Sequence, residues 1–399
     1  MQTDADAGPA GRISWSAACA EPFRLLFPAA TVAGALGALM WPLHLAGWLA
    51  WYPGAGHARI MAQGFFGGFI AGFLGTALPR VLGVKPFRPW ETAPLVVLHA
   101  AMVACWFIGK VPAGDVLFLL LLGWLAVALA RRLPARQDVP PPGFLLVPLG
   151  LGCAAAGTVI ALVLDPDAPS PALARWQHLL SYQGFLLLPA AGIAPFLLPR
   201  FFNQPQREDF PESRRPPPGW WPAAGRAAAV GALVLLSFAV EAGGRPRTGA
   251  ALRAAVLGLW LAREVPWGKA RVPGAVAGVL RLALALIPTG PLLVAASPIQ
   301  PVAWLHVTLM GGLGLLTLTV ASRVVLGHSG QLARLHGHNR WFWGVAAIVI
   351  VAVATRVSGD LWPKIQTTHY IYAALLWAGA LAWWGWRILP GVRRADPEG

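Results

Sequence analysis

The feature that most constrains this chain is a succession of apolar runs, each near the length of one bilayer-crossing helix. Such a helix needs about 20 predominantly apolar residues. The runs are separated by Pro, Gly or charged residues and lie near 24–50, 57–82, 90–109, 112–130, 143–164, 176–199, 220–241, 248–264, 275–296, 301–327, 341–357 and 361–388. Charged residues make up only 12% of the chain, whereas soluble proteins average about 25%. The sequence therefore predicts an all-α polytopic membrane bundle of about twelve transmembrane helices.

The apolar runs are spread evenly, which predicts a single membrane domain over residues 22–390. A polar N-terminus, 1–21, precedes this domain, and a short tail, 391–399, follows it. Residues 1–21 lack the apolar core of a signal peptide, so we expect the first run to remain as a helix. The run at 248–264 gives the weakest prediction, because it is short and contains Arg253.

The distribution of Lys and Arg predicts the orientation. With the N-terminus in the cytoplasm, the segments on that side hold 21 Lys and Arg, and those on the opposite side hold 7. Because basic loops stay on the cytoplasmic side, both termini are predicted to be cytoplasmic. The net charge is +15, but its basic residues lie singly or in pairs between apolar runs. This pattern argues against a nucleic-acid partner and for a lipid bilayer.

The cysteines exclude several kinds of site. Cys19, Cys105 and Cys153 are isolated, and the chain has neither a CxxC nor a CxxCH motif. This spacing argues against a disulfide framework, a zinc ribbon and covalently attached haem.

An internal repeat organises the chain. Gln-Gly-Phe at 63–65 recurs at 183–185, and Leu-Pro-Arg at 78–80 recurs at 198–200. Both pairs are offset by 120 residues, which is four predicted helices. A further step of similar length reaches predicted helix 10. We therefore predict three four-helix units in which helices 2, 6 and 10 are equivalent.

Histidines cluster toward one predicted side of the membrane. Five of the nine lie in the outer part of predicted helices: His44, His57, His178, His306 and His369. A single membrane histidine is more often a packed or interfacial residue, but ionisable residues within membranes are also candidates for function. Three of these five occur on the equivalent helices 2, 6 and 10. Since neutral imidazole is the usual ligand of haem iron and copper, the five are candidate ligands.

Helix 2 has a face suited to close approach. At 100° per residue, His57, Met61, Gly64 and Gly68 lie on one side of the helix. A glycine groove admits a closely packed helix or a flat macrocycle, and both alternatives stay open. On helix 6, His178 and Tyr182 are four residues apart and lie one above the other.

Another group of histidines occupies one inner loop. His328, His336 and His338 are predicted to be loop or helix-cap residues, with a metal or regulatory site as the alternative.

Two segments resemble the NnrS family of membrane proteins. One runs from His57-Ala-Arg-Ile-Met to Leu-Pro-Arg at 78–80, and the other includes Leu-His at 305–306, Gly311 and the stretch 323–330. The resemblance implies a haem- and copper-containing protein of the bacterial inner membrane, connected with nitric oxide and denitrification. Many members have His and Glu where this chain has Arg59 and Ile60.

The same helix is more distantly similar to helix 2 of the catalytic subunit of haem-copper oxidases. In that likeness, His57 and His306 match the axial ligands of a low-spin haem, and His178 with Tyr182 matches a copper ligand and its tyrosine. The position of a second haem ligand is Trp304, and 220–241 contains no His. The likeness implies one bis-histidine haem and no intact oxygen-reducing centre.

These observations predict a non-covalent b-type haem ligated by His57 and His306. Met61, Gly64 and Gly68 would lie along the ring, and Arg356 would face its propionates. A copper site is predicted at His178 and Tyr182, with His369 and His44 as substitutes for the missing histidine pair. Nitric oxide, or a quinol or another electron donor, is the expected partner.

Two other functions stay open. One is a secondary transporter of a small solute, and the other is a non-catalytic haem sensor or assembly subunit. Transporter repeats are often inverted, whereas these look threefold and parallel. Haem in the purified protein would separate a haem protein from a transporter. Turnover with nitric oxide or quinol would separate an enzyme from a sensor.

Overall fold

The computed structural model describes residues 13–164, 170–268 and 274–395. Over these residues the chain forms a short helix, Trp15–Ala20, and twelve long helices, with no β-strand. The long helices are α1 (Phe23–Leu45), α2 (Gly54–Val81), α3 (Pro89–Phe107), α4 (Val111–Ala130), α5 (Pro142–Val163), α6 (Pro171–Phe202), α7 (Trp220–Ala242), α8 (Pro246–Glu264), α9 (Ala275–Ala296), α10 (Pro301–Gly327), α11 (Arg340–Leu361) and α12 (Gln366–Ile388). Parts of the predicted N-terminus and tail, with Arg12, Lys269 and Arg271 of the charge count, lie outside the described residues.

The all-α membrane bundle is confirmed. In the described part of the chain, ten of the twelve helices are long and apolar enough to cross a membrane; α8 and α12 are the other two. The charge of α8 is compensated within the bundle, because Arg253 is buried and its Nη2 lies 2.7 Å from Oε2 of Glu241 on α7. Pairing with a neighbouring helix is how a charged residue is tolerated in such a helix.

Helices α2, α6 and α10 form the centre of the bundle. Of their most apolar windows, 78%, 72% and 72% is buried, and the next most buried helix, α1, reaches 61%. A mainly apolar cavity of about 110 Å³ lies between them and is lined in part by Phe66, Phe73, Leu186, Ile193, Leu313 and Val320. The remaining helices surround this centre, and α12 packs against α1, so the ring closes.

The three central helices share an unusual local conformation. Each contains a π-helical segment near its N-terminal end: Ile60–Phe66 in α2, Leu179–Gly184 in α6 and Val307–Gly314 in α10. The π-helix is rare and is frequent at functional sites. The segments begin three residues after His57, one after His178 and one after His306. The third repeat unit, predicted from spacing alone, thus shares a structural feature with the other two.

The first and the last described segments of the chain meet at one end of the bundle. The guanidinium of Arg24 on α1 donates to the carbonyl oxygens of Val392 at 3.0 Å, Arg394 at 2.7 Å and His328 at 2.9 Å. Its Nε also lies 2.5 Å from Glu21. The buried side chain of Arg24 therefore joins α1, the last described segment of the chain and the loop between α10 and α11. We term this the terminal end of the bundle, and the opposite end the histidine end.

Replacing Arg24 with Met is expected to lower the thermal stability of the detergent-purified protein. The change removes the buried guanidinium from Glu21, which keeps Arg80 and His328 as partners, and takes this donor away from three carbonyl oxygens. Breaking a buried ion pair costs about 3–5 kcal/mol, and the remaining partners place the expected loss toward the lower end. Unfolding followed by tryptophan fluorescence measures the effect. Arg393→Met is the control, because Arg393 is exposed at the same end. Equal shifts in both variants would contradict this role for Arg24.

The loop between α6 and α7 is anchored by a buried carboxyl group. Oε2 of Glu208 accepts a hydrogen bond of 2.8 Å from the backbone N–H of Gly143, at the start of α5. Burial raises the pKa of Glu208 from its ordinary value of 4.5 to about 7, and the neighbouring Glu264 carboxylate adds to the rise. The folded protein therefore binds this proton more tightly than the unfolded chain does.

This difference predicts a pH dependence of stability. The contribution of Glu208 is fully present below pH 4.5 and is lost as the pH rises through about 7. The wild type is therefore expected to lose more stability between pH 6 and pH 8 than Glu208→Gln does. Melting temperatures at both pH values measure this, with Glu212→Gln as the control from an exposed position of the same loop. Identical pH profiles for the wild type and Glu208→Gln would refute it.

Candidate functional site

His57 is held against α1 in a defined orientation. Its Nδ1 lies 2.8 Å from the carbonyl oxygen of Gly37. Because a carbonyl only accepts, Nδ1 carries the proton and Nε2 keeps its lone pair. Nε2 has no hydrogen-bond partner among the described residues. Met61 packs against the same glycine, and the ring of Trp41 meets the imidazole edge-on at 5.9 Å.

His306 shows the same arrangement on α10. Its Nδ1 lies 2.7 Å from the carbonyl oxygen of Val302, one turn earlier in the helix. This bond again leaves Nε2 as the atom with a lone pair, and within the described residues it has no hydrogen-bond partner. In its neutral form, each imidazole therefore presents Nε2 as the atom that a metal ion takes.

The two histidines share one electrostatic environment with Arg356. His57, His306 and Arg356 lie close enough to influence one another electrostatically. The guanidinium of Arg356 on α11 lies 2.7 Å from Asp360 and 4.2 Å over the ring of Tyr370. Tyr370 also donates to the same aspartate. Trp41 contacts both His57 and Tyr370, so Arg356 lies near His57. The assignment of His57, His306 and Arg356 to a haem stays a prediction.

The glycine face of α2 is in contact with other helices. A Cβ atom at Gly68 would lie 2.7 Å from Nε2 of His99 and 2.8 Å from Ala30, and one at Gly64 would lie 3.1 Å from Val103. His99 fills the groove from α3 and bonds the carbonyl oxygen of Gly64 at 2.8 Å. Close helix packing therefore accounts for these glycines. Their place beside a cofactor, with Met61, stays a prediction.

Comparison with known proteins agrees with this picture. The model of the NnrS protein family matches residues 17–395, nearly the whole chain. The chain belongs to the NnrS family. No curated protein matches it. Membership supports, in general terms, a membrane protein connected with the response to nitric oxide.

In this NnrS-family chain, Arg59, two residues after His57, belongs to an ion pair inside the bundle. Nε and Nη2 of Arg59 lie 2.6 and 2.8 Å from the two carboxylate oxygens of Asp115 on α4, and Nε1 of Trp106 donates to Asp115 at 3.0 Å. Sequence reasoning missed Asp115. The signal was available, because it is a lone acidic residue within an apolar run and such residues need a partner.

The histidines predicted for copper are distributed over the histidine end of this NnrS-family bundle. His178 contacts Tyr182, with ring centroids 5.3 Å apart. Nδ1 of His44 forms a hydrogen bond with a backbone carbonyl oxygen five residues later in the chain. Nδ1 of His369 lies 3.3 Å from the hydroxyl oxygen of Ser358. Over the described ranges, no group of three or more His, Cys, Asp or Glu side chains is arranged to hold a metal ion. Copper stays a prediction without an assembled set of ligands.

The inner-loop histidines have different surroundings. His328 lies at the end of α10, and its Nδ1 is 2.5 Å from Glu21. His336 and His338 are exposed. The structure therefore supports the interpretation of His328 as a structural residue of the loop.

Gly68→Ala is expected to destabilise the protein, because the new methyl group would overlap His99 and Ala30. Overpacking of this kind costs about 1–3 kcal/mol. Gly123→Ala is the matched control, since nothing lies within 4 Å of a Cβ atom there. Melting temperatures of the purified variants measure the difference. Equal melting temperatures for Gly68→Ala and Gly123→Ala would contradict this expectation and would indicate that the groove has room for a haem ring.

Proposed function

We propose that this NnrS-family protein is a membrane haem protein of the nitric oxide response, with a non-covalent b-type haem held by His57 and His306. The observation that carries the proposal is the matched state of the two imidazoles. Each donates its Nδ1–H to a backbone carbonyl, and each keeps an Nε2 lone pair with no hydrogen-bond partner in the described part of the chain. A bond of this kind fixes the tautomer and orientation of a ligating histidine.

The surrounding residues suit the same purpose. Gly37 on α1 sets the orientation of His57, while Val302 sets that of His306. Arg356 supplies a positive charge within electrostatic range of both, and Asp360 and Tyr370 keep its side chain in place. A guanidinium in this position is suited to a haem propionate, because it pairs with carboxylates in a fixed geometry.

The expected chemistry follows from the number of ligands. A haem with two imidazole ligands supplies one-electron transfer and has no open position for a gas. In this proposal, His57 and His306 would hold the haem, and Arg356 would neutralise the negative charge of a propionate. Nitric oxide chemistry would then require one histidine to leave or a separate site.

The direction of the central helices weighs against a transporter with inverted repeats. Helices α2, α6 and α10 have their C-terminal ends around one cavity, so the three units are parallel. Inverted repeats, common in secondary transporters, would place equivalent helices antiparallel. A non-catalytic haem sensor is compatible with the same geometry, and kinetics distinguish it from an enzyme.

The decisive experiment replaces each ligand separately. His57→Ala and His306→Ala are each expected to lose the low-spin visible spectrum of the detergent-purified protein, because removing an axial ligand opens the iron or releases the haem. Added imidazole is expected to restore part of the spectrum by filling the space left. His338→Ala is the control, since His338 is exposed in a loop. Size-exclusion chromatography establishes that each variant is folded.

Three results would contradict the proposal: no haem in protein purified from haem-sufficient cells, a wild-type spectrum in either variant, or equal loss in His338→Ala. Metal analysis of the same samples tests copper, which is expected to fall in His178→Ala. Turnover assays with nitric oxide and a quinol separate an enzyme from a sensor.

A further inference from the structure

A second cavity lies at the terminal end of the bundle. Its volume is about 500 Å³, and it is lined by the ends of α2, α6 and α10 together with the segments 138–141 and 206–212. It shares Phe73, Leu197 and Val320 with the apolar cavity between the central helices. This second cavity, which we term the vestibule, therefore lies on the axis of the bundle.

Each central helix contributes one arginine to the vestibule. These are Arg80 on α2, Arg200 on α6 and Arg323 on α10. The first two belong to the repeated Leu-Pro-Arg motif, and the third occupies a similar place near the end of its helix. A helix C-terminus favours a cation, which explains an arginine at each end. It does not explain why the three face one cavity.

The three arginines differ in their partners. Nη2 of Arg80 lies 2.5 Å from Glu21. Arg200 and Arg323 have no carboxylate within 4.0 Å among the described residues, and they lie instead over the rings of Phe196 at 5.7 Å and Phe201 at 5.1 Å. An aromatic ring attracts a cation but carries no compensating charge. These two guanidinium groups therefore keep their full positive charge.

Arg200 and Arg323 line the same cavity, and their like charges repel each other. Arginine stays protonated in proteins, so the repulsion cannot be relieved by loss of a proton. Like charges that line one cavity favour an anion between them, since it adds two attractive interactions against the one repulsion.

The vestibule is also lined by four acidic residues. They are Asp138, Glu208, Asp209 and Glu212. Backbone N–H groups already donate to Asp138 and Glu208, and Asp209 and Glu212 are exposed. These carboxylates compensate neither Arg200 nor Arg323, and they repel further negative charge. An anion in the vestibule is therefore expected to be small and to lie beside Arg200 and Arg323.

We propose that the vestibule binds a small oxyanion, of the phosphate type, between Arg200 and Arg323. The planar guanidinium donates two parallel hydrogen bonds to an oxyanion, and two such groups suit three or four oxygens on one centre. The oxyanion is either free in solution or part of an anionic lipid headgroup. This site is independent of the proposed haem, which lies at the histidine end.

The test uses the full-length protein in nanodiscs of phosphatidylcholine, with inorganic phosphate as the probe and ionic strength held constant with potassium chloride. Calorimetric titration is expected to show saturable binding at one site. Arg200→Gln and Arg323→Gln are each expected to weaken it about tenfold, because each removes a charge-assisted hydrogen bond. Arg200→Lys/Arg323→Lys, which keeps both charges, is expected to retain part of the affinity and guards against loss of folding.

Two further variants sharpen the result. Arg131→Gln/Arg393→Gln changes the net charge of the terminal end equally through exposed arginines that do not line the vestibule, and it is expected to bind phosphate as the wild type does. Asp209→Asn/Glu212→Gln is expected to strengthen binding about two- to threefold, because it removes exposed negative charge from the lining of the same cavity.

A second set of nanodiscs, containing phosphatidylglycerol and no added phosphate, distinguishes the source of the anion. A higher melting temperature in these discs, lost in Arg200→Gln/Arg323→Gln, would identify the lipid headgroup. The same shift with phosphate in phosphatidylcholine would identify the free anion. The proposal is overturned if neither anion stabilises the wild type, or if the double glutamine variant responds as the wild type does.

Discussion

A buried charge surrounded by lipid and apolar side chains needs a partner, and much of this structure depends on how that need is met. An unpaired buried ion costs several kcal/mol. Several buried charges of the bundle are therefore carried in pairs that join different helices. Arg59 pairs with Asp115 between α2 and α4, Arg132 with Glu91 beside α3 and α4, and Arg253 with Glu241 between α7 and α8. Each pair fixes the register of two helices that lipid-facing surfaces alone would leave free to slide.

The central helices meet a second constraint, which is close approach. Glycine recurs along the face of α2 that is turned toward α1 and α3 and lets these two helices come near. The π-helical segments change the angular positions of the residues that follow them. Each segment begins one to three residues after His57, His178 or His306. The wider helical turn therefore follows a histidine in each of the three units.

The fold was largely predictable, because the length and spacing of apolar runs carry the information that defines a membrane helix. The first run was predicted to extend to residue 50, whereas α1 ends at Leu45; Gly47 adopts a φ of +78°, which stops the helix without changing its hydropathy. Partners across helices were less accessible. Asp115 lies 56 residues from Arg59 in sequence, and no local pattern records that they meet. The presence of His99 in the glycine groove was hidden for the same reason.

The bond network of Arg24 bears on how the chain is made. Its acceptors on Val392 and Arg394 lie 368 and 370 residues later in the sequence. During synthesis α1 enters the membrane long before these carbonyls exist, and its neighbour α12 follows the other eleven long helices in the chain. The ring therefore closes only after α12 has been inserted. Until then, the lateral surface of α1 that receives α12 remains open to lipid or to the insertion machinery.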